Sequence, residues 1–454
     1  MVIGHNTLKV LLVSPPYPHL CGEESFGFAG REDWFPLGLF VIANAISLEK
    51  LADVKIYYQA DHTPKAMEAL IRDFAPDVVG IGCFTRTRFA CFELADIVKK
   101  VGKDIKVILG GSHATFLDQQ ILQNYSSVDM CIRGYAEGAF LDVLKAIINK
   151  DDIGSIAGLT WRDEHNKIRK NCNRSLDDDL VRELTPNVPD LFIGNLPDWK
   201  SPDMISYALP IETTRGCVYT CTFCSRMGPD NRTVIERGPE QSLRYVDGLF
   251  KIFGKREIYF CDTNFTLKKK RAYEFCEAIR NHPLKFEWTC STRIDLVNKE
   301  MLTALKEAGC RKVYYGVDSF CRKILPSIGR HFNPEVAVRN LNLTVECGLE
   351  TEGNIIIGFP GENSETIIES YHNRRQVDSR VYLTIRPLKI MPGGALYYQA
   401  IKEGFNEDYW LEDHGDDFPT YTYVMTERLI GQYCEFLKNP SHYNANKHMN
   451  LQLK

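Results

Sequence analysis

Short, continuously apolar segments alternate with helical patterns along most of this 454-residue chain. Between residues 8 and 150 the apolar segments include LKVLLVSPPYP, DVVGIGCF and IKVILGGSHAT, and the helical patterns include PLGLFVIANAISLEK and RFACFELADIVKKVG. Strands that are apolar at every position need cover on both faces, as in a parallel sheet between two helical layers. Residues 1–150 are therefore predicted to form a doubly wound parallel sheet of the α/β class.

Ligands of such sheets bind beyond the carboxyl ends of the strands. In this chain those ends are predicted at residues 14–17, 85–87, 110–115 and 134–137. The glycine pair before Ser112 allows the backbone to approach a ligand closely. The next residue, His113, is either a ligand contact or an ordinary polar residue at a strand end, and both readings stay open.

From residue 206 the alternation returns, with about six strand and helix units in line. The strand candidates are MISYALPIETTRG, REIYFCDTNFT, FEWTCSTRID, CRKVYYGVDSF, ETEGNIIIGFPGE and VYLTIRPLKIMPG. This succession predicts a parallel barrel or part-barrel over 206–395, with functional groups at the C-terminal strand ends. Residues 151–205, which contain a polar hairpin and a proline-broken connector, are predicted to be a linker. Residues 396–454 form an aromatic C-terminal extension that either closes the barrel mouth or packs on the neighbouring domain.

Three cysteines, Cys217, Cys221 and Cys224, crowd into the segment TTRGCVYTCTFC. The other cysteines of the 15 are scattered, several within apolar segments, as expected for small buried residues in a reducing compartment. Three thiolates at a strand end can bind three irons of a cubane cluster and leave the fourth iron open. Structural zinc normally takes four protein ligands, and no partner CxxC occurs elsewhere. An iron–sulfur cluster is therefore favoured, with zinc and purely structural thiols as alternatives.

Charge and hydropathy argue against several classes of protein. The formal net charge of −4 gives no basis for a nucleic-acid partner. No segment approaches the eighteen or so apolar residues that span a bilayer. The apolar start LKVLLVSPP is interrupted by two prolines, with no small-residue cleavage site after it. We expect a cytoplasmic protein.

The segment CVYTCTFC, with Phe223 directly before the third cysteine, resembles the CxxxCxxC signature of radical S-adenosylmethionine enzymes. GFPGE at 358–362 resembles the glycine-rich turn near the adenine in that superfamily. GVDSF at 316–320 resembles the G-I-E-S strand end, with Asp318 in place of glutamate. The segments VSPPYP, PLGL, GGSHAT and RGYAEGAF resemble, in this order, the cobalamin-binding domain of one large branch of these enzymes. The resemblance extends to about residue 400.

The resemblance implies a cobalamin-binding, Rossmann or flavodoxin-like sheet followed by a (β/α)6 partial TIM barrel. It also implies a [4Fe–4S] cluster on the three cysteines, S-adenosyl-L-methionine in the barrel and cobalamin on the first sheet. In the barrel, the cofactor contacts are expected at Phe223, Asp262, Arg293, Asp318, Gly358 and Pro360. On the first sheet they are expected at Ser14, Pro15, Thr85, Ser112, His113 and Glu137. Arg293 suits the methionyl carboxylate, and an ion pair with Asp295 is the alternative.

The resemblance further implies a reaction. S-adenosylmethionine chelates the open iron, an electron from the reduced cluster cleaves its carbon–sulfur bond, and the 5′-deoxyadenosyl radical abstracts hydrogen from a small-molecule substrate. With cobalamin, the expected activity is methylation of an unactivated carbon, driven by an electron donor such as flavodoxin or ferredoxin. Two alternatives stay open: a cobalamin-free radical enzyme catalysing dehydration, deoxygenation, cyclisation or rearrangement, and a binding protein with a sensing role.

One pattern of cobalamin proteins is missing from the chain. Proteins that replace the lower base of cobalamin with a histidine use Asp-x-His-x-x-Gly at the end of the first strand, where this chain reads VSPPYPHLCG. His19 lies near this place but departs from the pattern, and a lone polar residue in a turn is usually solvated. We therefore expect bound cobalamin to have its base detached and no protein imidazole on the cobalt.

Overall fold

A computed structural model describes residues 7–15, 36–58, 63–175, 192–193, 208–225, 232–254, 257–414, 418–422 and 425–438. The strands are β1 (Leu8–Ser14), β2 (Ala52–Tyr58), β3 (Val78–Gly82), β4 (Lys106–Gly110), β5 (Met130–Ile132), β6 (Leu159–Arg162), β7 (Ile168–Lys170), β8 (Phe192–Ile193), β9 (Leu209–Ile211), β10 (Thr214–Arg215), β11 (Ile235–Glu236), β12 (Ile258–Phe260), β13 (Trp288–Arg293), β14 (Cys310–Asp318), β15 (Glu350–Ile357) and β16 (Tyr382–Pro387). His19 lies outside the described residues.

Fourteen α-helices are found in the described part of the chain. They are α1 (Leu37–Leu48), α2 (Pro64–Phe74), α3 (Arg88–Val101), α4 (Ser112–Phe116), α5 (Asp118–Asn124), α6 (Glu137–Asn149), α7 (Pro239–Phe253), α8 (Lys269–Asn281), α9 (Lys299–Glu307), α10 (Ile324–Ser327), α11 (Pro334–Glu346), α12 (Ser364–Arg374), α13 (Ala395–Lys402) and α14 (Glu427–Lys438). Of these helices, none is long and apolar enough to cross a membrane.

The first sheet has eight strands in the order β7-β6-β5-β4-β3-β1-β2-β8. Strands β1 to β5 are parallel and follow the flavodoxin-like order 2-1-3-4-5. In the central strand β1, Val10 and Leu12 belong to one apolar core, whereas Leu11 and Val13 belong to the core on the opposite face. The doubly wound parallel sheet predicted for the N-terminal part is therefore confirmed.

The hairpin predicted after residue 150 is formed by β6 and β7. It pairs antiparallel with β5 and so extends the first sheet beyond that residue. Asp118, at the start of α5, explains why a polar hairpin attaches there: its carboxylate accepts hydrogen bonds from the Thr160 hydroxyl (2.5 Å) and the Lys170 ammonium group (3.0 Å). Residues 176–191 and 194–205 of the expected linker lie outside the described residues.

The second sheet has six parallel strands in the order β16-β15-β14-β13-β12-β9. Helices follow the strands along the chain, so the predicted (β/α)6 part-barrel is confirmed. An aromatic core forms between β12, the loop after it, α8 and β13: the rings of Phe260, Phe265, Phe275 and Trp288 pack with centroids 5.1 to 6.1 Å apart. Because all six strands run in the same direction, their carboxyl ends meet at one edge.

The described part of the C-terminal extension packs on both the part-barrel and the domain of the first sheet. Helix α14 lies against α12, where the rings of Tyr371 and Phe436 stack at 4.7 Å. The segment around Trp410 docks on the first domain, because Arg88 donates hydrogen bonds to the carbonyl oxygens of Trp410 (2.9 Å) and Glu412 (2.7 Å). Of the two roles expected for the extension, the described residues show packing on a neighbouring domain.

Candidate active site

The three cysteines lie in a loop, residues 216–225, that directly follows β10; we call it the cysteine loop. Gly216 begins it with a φ of 88°, a conformation that glycine adopts without steric cost. Cys221 is buried, Cys217 and Cys224 are partly exposed, and none of the three is in a disulfide. Burial raises the pKa of the Cys221 thiol.

Nitrogen donors lie beside two of these sulfur atoms. Asn264 Nδ2 is 3.7 Å from Cys217 Sγ, and Arg293 Nη1 is 3.9 Å from Cys221 Sγ. Such donors suit anionic thiolate ligands. Among the described residues no three cysteine, histidine or carboxylate side chains converge as one metal ion requires. A cubane cluster does not need that convergence, since each thiolate binds a different iron, and the donor set therefore fits a cluster.

The cysteine loop rests on the segment that follows α10. A Cβ added to Gly329 would lie 2.8 Å from the carbonyl oxygen of Thr220, so only glycine fits beneath the loop. The Thr222 N–H donates to the Ile328 carbonyl (3.3 Å), and the Thr222 carbonyl accepts from the Leu396 N–H (2.9 Å). The position of the cysteines is thus fixed by backbone contacts from two separate parts of the chain.

Asp262, two residues after the end of β12, braces the residues ahead of the cysteine loop. Its carboxylate accepts hydrogen bonds from the Thr213 N–H (2.6 Å), the Thr213 hydroxyl (2.5 Å) and the Thr214 N–H (2.9 Å). Burial raises the pKa of Asp262, although Arg271 and these hydrogen bonds oppose the rise. Both oxygens are engaged by the chain itself, so the geometry gives the expected cofactor contact of Asp262 no support.

Arg293, at the end of β13, forms the ion pair that was the alternative to a cofactor contact. Its Nε and Nη2 atoms lie 2.9 and 3.0 Å from the two carboxylate oxygens of Asp295. The pair is not a surface feature, because the Arg293 side chain is buried and its guanidinium carbon lies 3.7 Å from the ring centroid of Tyr219. The guanidinium therefore lies against the cysteine loop, and the two nitrogens that could bind a carboxylate in parallel are already paired with Asp295.

Asp318 ends β14 in a left-handed conformation, with a φ of 67°, where the register against β15 shifts. Its carboxylate pairs with Arg330 at 2.5 Å. Burial raises the pKa of Asp318 against the opposing charge of Arg330. Arg330 Nε is buried with no hydrogen-bond partner among the described residues. No local pattern in the sequence marks Arg330, and sequence reasoning missed it.

The turn at 358–362 contacts the cysteine loop through two aromatic rings, since the centroids of Phe223 and Phe359 are 5.3 Å apart. The Glu362 carboxylate accepts hydrogen bonds from the N–H groups of Gly358 (2.6 Å) and Phe359 (3.2 Å), which fixes the turn. Gly358 has a φ of 111°, and a Cβ there would lie 3.2 Å from the Ile430 side chain, towards α14. Pro360 is partly exposed. The cysteine motif and this turn, which are more than 130 residues apart in the chain, are thus brought together.

Glu362 makes the stability of this region depend on pH. Burial raises its pKa to about 7, from a usual value of 4.5. The folded state therefore favours the protonated acid, and this contribution to the free energy of unfolding is lost as pH rises from 4.5 to about 7, by about 3 kcal/mol at most. Gln at this position keeps an acceptor oxygen but does not titrate.

We expect Glu362→Gln to unfold at a higher temperature than the wild type at pH 8 and at nearly the same temperature at pH 4.5. Thermal unfolding of the protein without added cofactors, followed from pH 4.5 to 8, measures the difference. Glu365→Gln, at an exposed position on the same helix entry, is the matched control and should give no such pH-dependent gain. An equal gain at both pH values would contradict the assignment.

A buried ion pair joins the first sheet to the cysteine loop. Glu137, which was expected to contact cobalamin, lies 2.7 Å from Arg215, and Arg215 also contacts Glu212 at 2.6 Å. Despite burial, Arg215 lowers the pKa of Glu137. Tyr135 stacks under Arg215 at 4.8 Å, and its hydroxyl accepts a hydrogen bond from the Gly216 N–H (3.3 Å). Sequence reasoning missed this bridge, although the arginine directly before Gly216 was its one visible sign.

At the end of β4 the two glycines have different roles. Gly111 has a φ of 96°, and a Cβ there would lie 2.6 Å from the Cys83 carbonyl oxygen. A Cβ on Gly110 would meet no described atom within 4 Å. Next to them Ser112 is exposed, and at the end of β1 Ser14 is half-buried. Gly110, Ser112 and Ser14 therefore border space at the edge where a ligand of this sheet is expected.

His113, Thr85 and Pro15 are buried instead. His113 Nδ1 lies 3.3 Å from the Thr85 hydroxyl, and the His113 ring meets the Trp410 ring at a centroid distance of 6.3 Å. Burial, with a smaller effect from Arg88, lowers the pKa of His113 to about 3. The imidazole is therefore neutral and enclosed, which agrees with the reading of His113 as an ordinary polar residue at a strand end.

Comparison with known proteins places this geometry in a family. Residues 211–373 match the model of the radical SAM superfamily, and residues 29–144 match that of the B12 binding domain. An uncharacterized methyltransferase from Pyrococcus horikoshii is 30% identical over 87% of this chain and 84% of its own. An anaerobic magnesium-protoporphyrin IX monomethyl ester cyclase from Rubrivivax gelatinosus is 26% identical over 81% of this chain, which spans 66% of the cyclase.

A solved structure shows the same architecture. The radical S-adenosylmethionine methyltransferase TsrM from Kitasatospora setae superimposes with a TM-score of 0.73 over 94% of this chain and 82% of its own, at 17% sequence identity. At this identity the likeness concerns the fold. The fold class and the family resemblance read from the sequence are both confirmed. The chain belongs to the radical S-adenosylmethionine enzymes that carry a B12-binding domain.

Proposed function

We propose that this enzyme is a cobalamin-dependent methyltransferase that methylates an unactivated carbon of a small molecule or natural product. The observation that carries the proposal is the bridge of Glu137, Arg215 and Tyr135, because it joins the ligand-binding edge of the first sheet to the cysteine loop. Methyl transfer to a substrate radical requires both cofactors at one site. The relative of 30% identity, which is named a methyltransferase, adds support.

The chain's own residues hold and orient the reactants in this proposal. When bound, the cluster and S-adenosylmethionine supply radical chemistry and cobalamin supplies a methyl carrier. Cys217, Cys221 and Cys224 hold three irons. Phe223 and the turn held by Glu362 border S-adenosylmethionine.

At the edge of the first sheet, Ser14, Gly110 and Ser112 border the cobalamin, whereas the buried His113 and Thr85 shape the wall behind them. The electron donor is of the flavodoxin or ferredoxin type, and the enzyme works in the cytoplasm. The runner-up activity is a cobalamin-free radical reaction such as cyclisation. The relatives named as cyclases favour it, at a lower identity than the methyltransferase.

The two glycines at the end of β4, Gly110 and Gly111, give a test of the cobalamin site. A Cβ on Gly110 meets no described atom within 4 Å, so we expect Gly110→Leu to keep its thermal stability. Because the leucine side chain takes up space proposed for cobalamin, we expect cobalamin binding to weaken about tenfold or more. Gly111→Ala meets the Cys83 carbonyl oxygen, and we expect the free energy of unfolding to fall by roughly 2–4 kcal/mol. Thermal unfolding and cobalamin titration separate the two effects. Full cobalamin affinity in Gly110→Leu would contradict this location.

The enclosure of His113 predicts that this residue does not coordinate the cobalt. We expect the cobalt(II) form of the bound cofactor to show no hyperfine splitting from a coordinated nitrogen in electron paramagnetic resonance, because Trp410 and Thr85 enclose the imidazole. Cobinamide, which lacks the lower base, makes the test unambiguous, since any axial nitrogen must then come from the protein. Nitrogen splitting in the cobinamide-loaded enzyme would overturn the expectation.

Transfer of an isotopic label tests the function itself. The enzyme, loaded with cluster and cobalamin, is incubated anaerobically with a reductant, S-adenosylmethionine carrying a trideuteromethyl group, and a small-molecule extract. The proposal expects a product that carries the intact trideuteromethyl group on carbon. The same incubation without cobalamin is the control, and a cobalamin-independent product without the label would favour the runner-up activity.

A further inference from the structure

Two cysteine sulfurs face buried nitrogen donors that other strands supply. Asn264 follows β12 and directs its amide to Cys217 Sγ at 3.7 Å, and Arg293 ends β13 and directs Nη1 to Cys221 Sγ at 3.9 Å. The donors are 5% and 4% exposed, so bulk water does not compete for these contacts. Neither residue is close in sequence to the cysteine that it faces, and the fold alone pairs them.

The orientation of Arg293 is fixed from two sides. Asp295 takes Nε and Nη2, and the ring of Tyr219 lies against the guanidinium plane. The nitrogen left for the sulfur is Nη1. Because Asp295 offsets the positive charge, what reaches Cys221 is mainly a directed N–H group rather than a net charge.

Hydrogen bonds to ligand sulfurs change the electronic properties of an iron–sulfur cluster. They withdraw electron density from the thiolates and so stabilise the reduced cluster, which carries more negative charge. In a buried site such a bond is stronger than in water. Reduction of the cluster is the step that starts the chemistry of this family, so the donors bear directly on how readily the enzyme is activated.

We infer that Asn264 and Arg293 are positioning residues that raise the reduction potential of the cluster through N–H···S bonds to Cys217 and Cys221. The inference rests on the proposed cluster, and the iron content of each variant separates a failure of one from a failure of the other. If the wild-type enzyme binds no iron after reconstitution, the proposed cluster is refuted. If a variant binds a full cluster, its reduction potential tests the hydrogen bonds.

The test compares the reconstituted wild-type enzyme with Asn264→Leu, which has a similar volume but no donor. We expect the ratio of reduced to oxidised cluster at a fixed solution potential to fall roughly threefold to tenfold, where tenfold corresponds to about 59 mV for one electron. Pulsed paramagnetic resonance in deuterated water should also lose one exchangeable deuteron coupling. Asn373→Leu is the matched control, because the Asn373 amide donates to the Phe320 carbonyl instead of a sulfur.

Two further variants test the same hydrogen bonds if Asn264→Leu assembles no cluster. Asn264→Ser has a side chain too short to reach the sulfur, and Arg293→Lys keeps the charge but loses the fixed N–H direction. Each should lower the reduced fraction in the same sense as Asn264→Leu. An unchanged potential and unchanged deuteron couplings, in any of these variants with full iron content, would overturn the inference.

Discussion

Alanine in place of Cys217, Cys221 or Cys224 is expected to abolish both the broad brown absorption of the reconstituted protein and its cleavage of S-adenosylmethionine. Each thiolate holds a different iron, so the loss of any one leaves an iron without its protein ligand. The three cysteines share one short loop, and no other cysteine of the described chain lies in it. Iron and sulfide analysis, with the absorption spectrum and the yield of 5′-deoxyadenosine, measures both losses.

The control for this series is Cys347→Ala. Cys347 is also partly exposed but caps α11, away from the cysteine loop. Its variant should keep full iron content and full cleavage. A variant of Cys217, Cys221 or Cys224 that retains both would refute the assignment of that residue as a cluster ligand.

We expect Gly329→Ala to lose most of the cluster although no ligand is changed. A Cβ at this position meets the carbonyl oxygen of Thr220 at 2.8 Å and the α-carbon of Cys221 at 3.2 Å. Both contacts are with backbone, so the cysteine loop itself has to move. A shift of even part of an ångström misplaces ligands that must meet three irons together.

Gly348→Ala separates this displacement from simple backbone strain. Gly329 and Gly348 have φ values of 78° and 77°, so alanine costs about 1–2 kcal/mol at both positions. At Gly348 the nearest atom to an added Cβ is Lys306 Cε at 3.5 Å, an ordinary contact. Both variants should therefore unfold at a lower temperature, but only Gly329→Ala should bind less iron. Equal iron content in the two variants would contradict the role of Gly329.

The fold was readable from the sequence because it depends on local patterns. Continuously apolar strands such as Leu8–Ser14 predicted a sheet covered on both faces, and six strand and helix units in line predicted the part-barrel. The cysteine loop was equally visible, since its three ligands lie within eight residues. The attachment of β6 and β7 to the first sheet was not, because it depends on Asp118 meeting Thr160 and Lys170 across the fold.

The parts of the site that the sequence did not reveal depend on pairs of distant residues. The pairing of Glu137 with Arg215 links two domains, and Arg330 meets Asp318 only because the segment after α10 folds under the cysteine loop. Asp262 and His113 lie near strand ends, where the sequence predicts cofactor contacts. The structure shows that a strand-end residue can serve the chain itself, as a brace for Thr213 or as a buried polar group.

The products of S-adenosylmethionine in a single turnover test the central claim most directly. In the proposed reaction S-adenosylmethionine serves both as methyl donor and as radical source, so we expect S-adenosylhomocysteine as well as 5′-deoxyadenosine. We predict that the anaerobically reconstituted, reduced enzyme forms S-adenosylhomocysteine only when cobalamin is bound, and that the Cys221→Ala variant forms no 5′-deoxyadenosine. Formation of 5′-deoxyadenosine without any S-adenosylhomocysteine, at the same rate with and without cobalamin, would contradict the account.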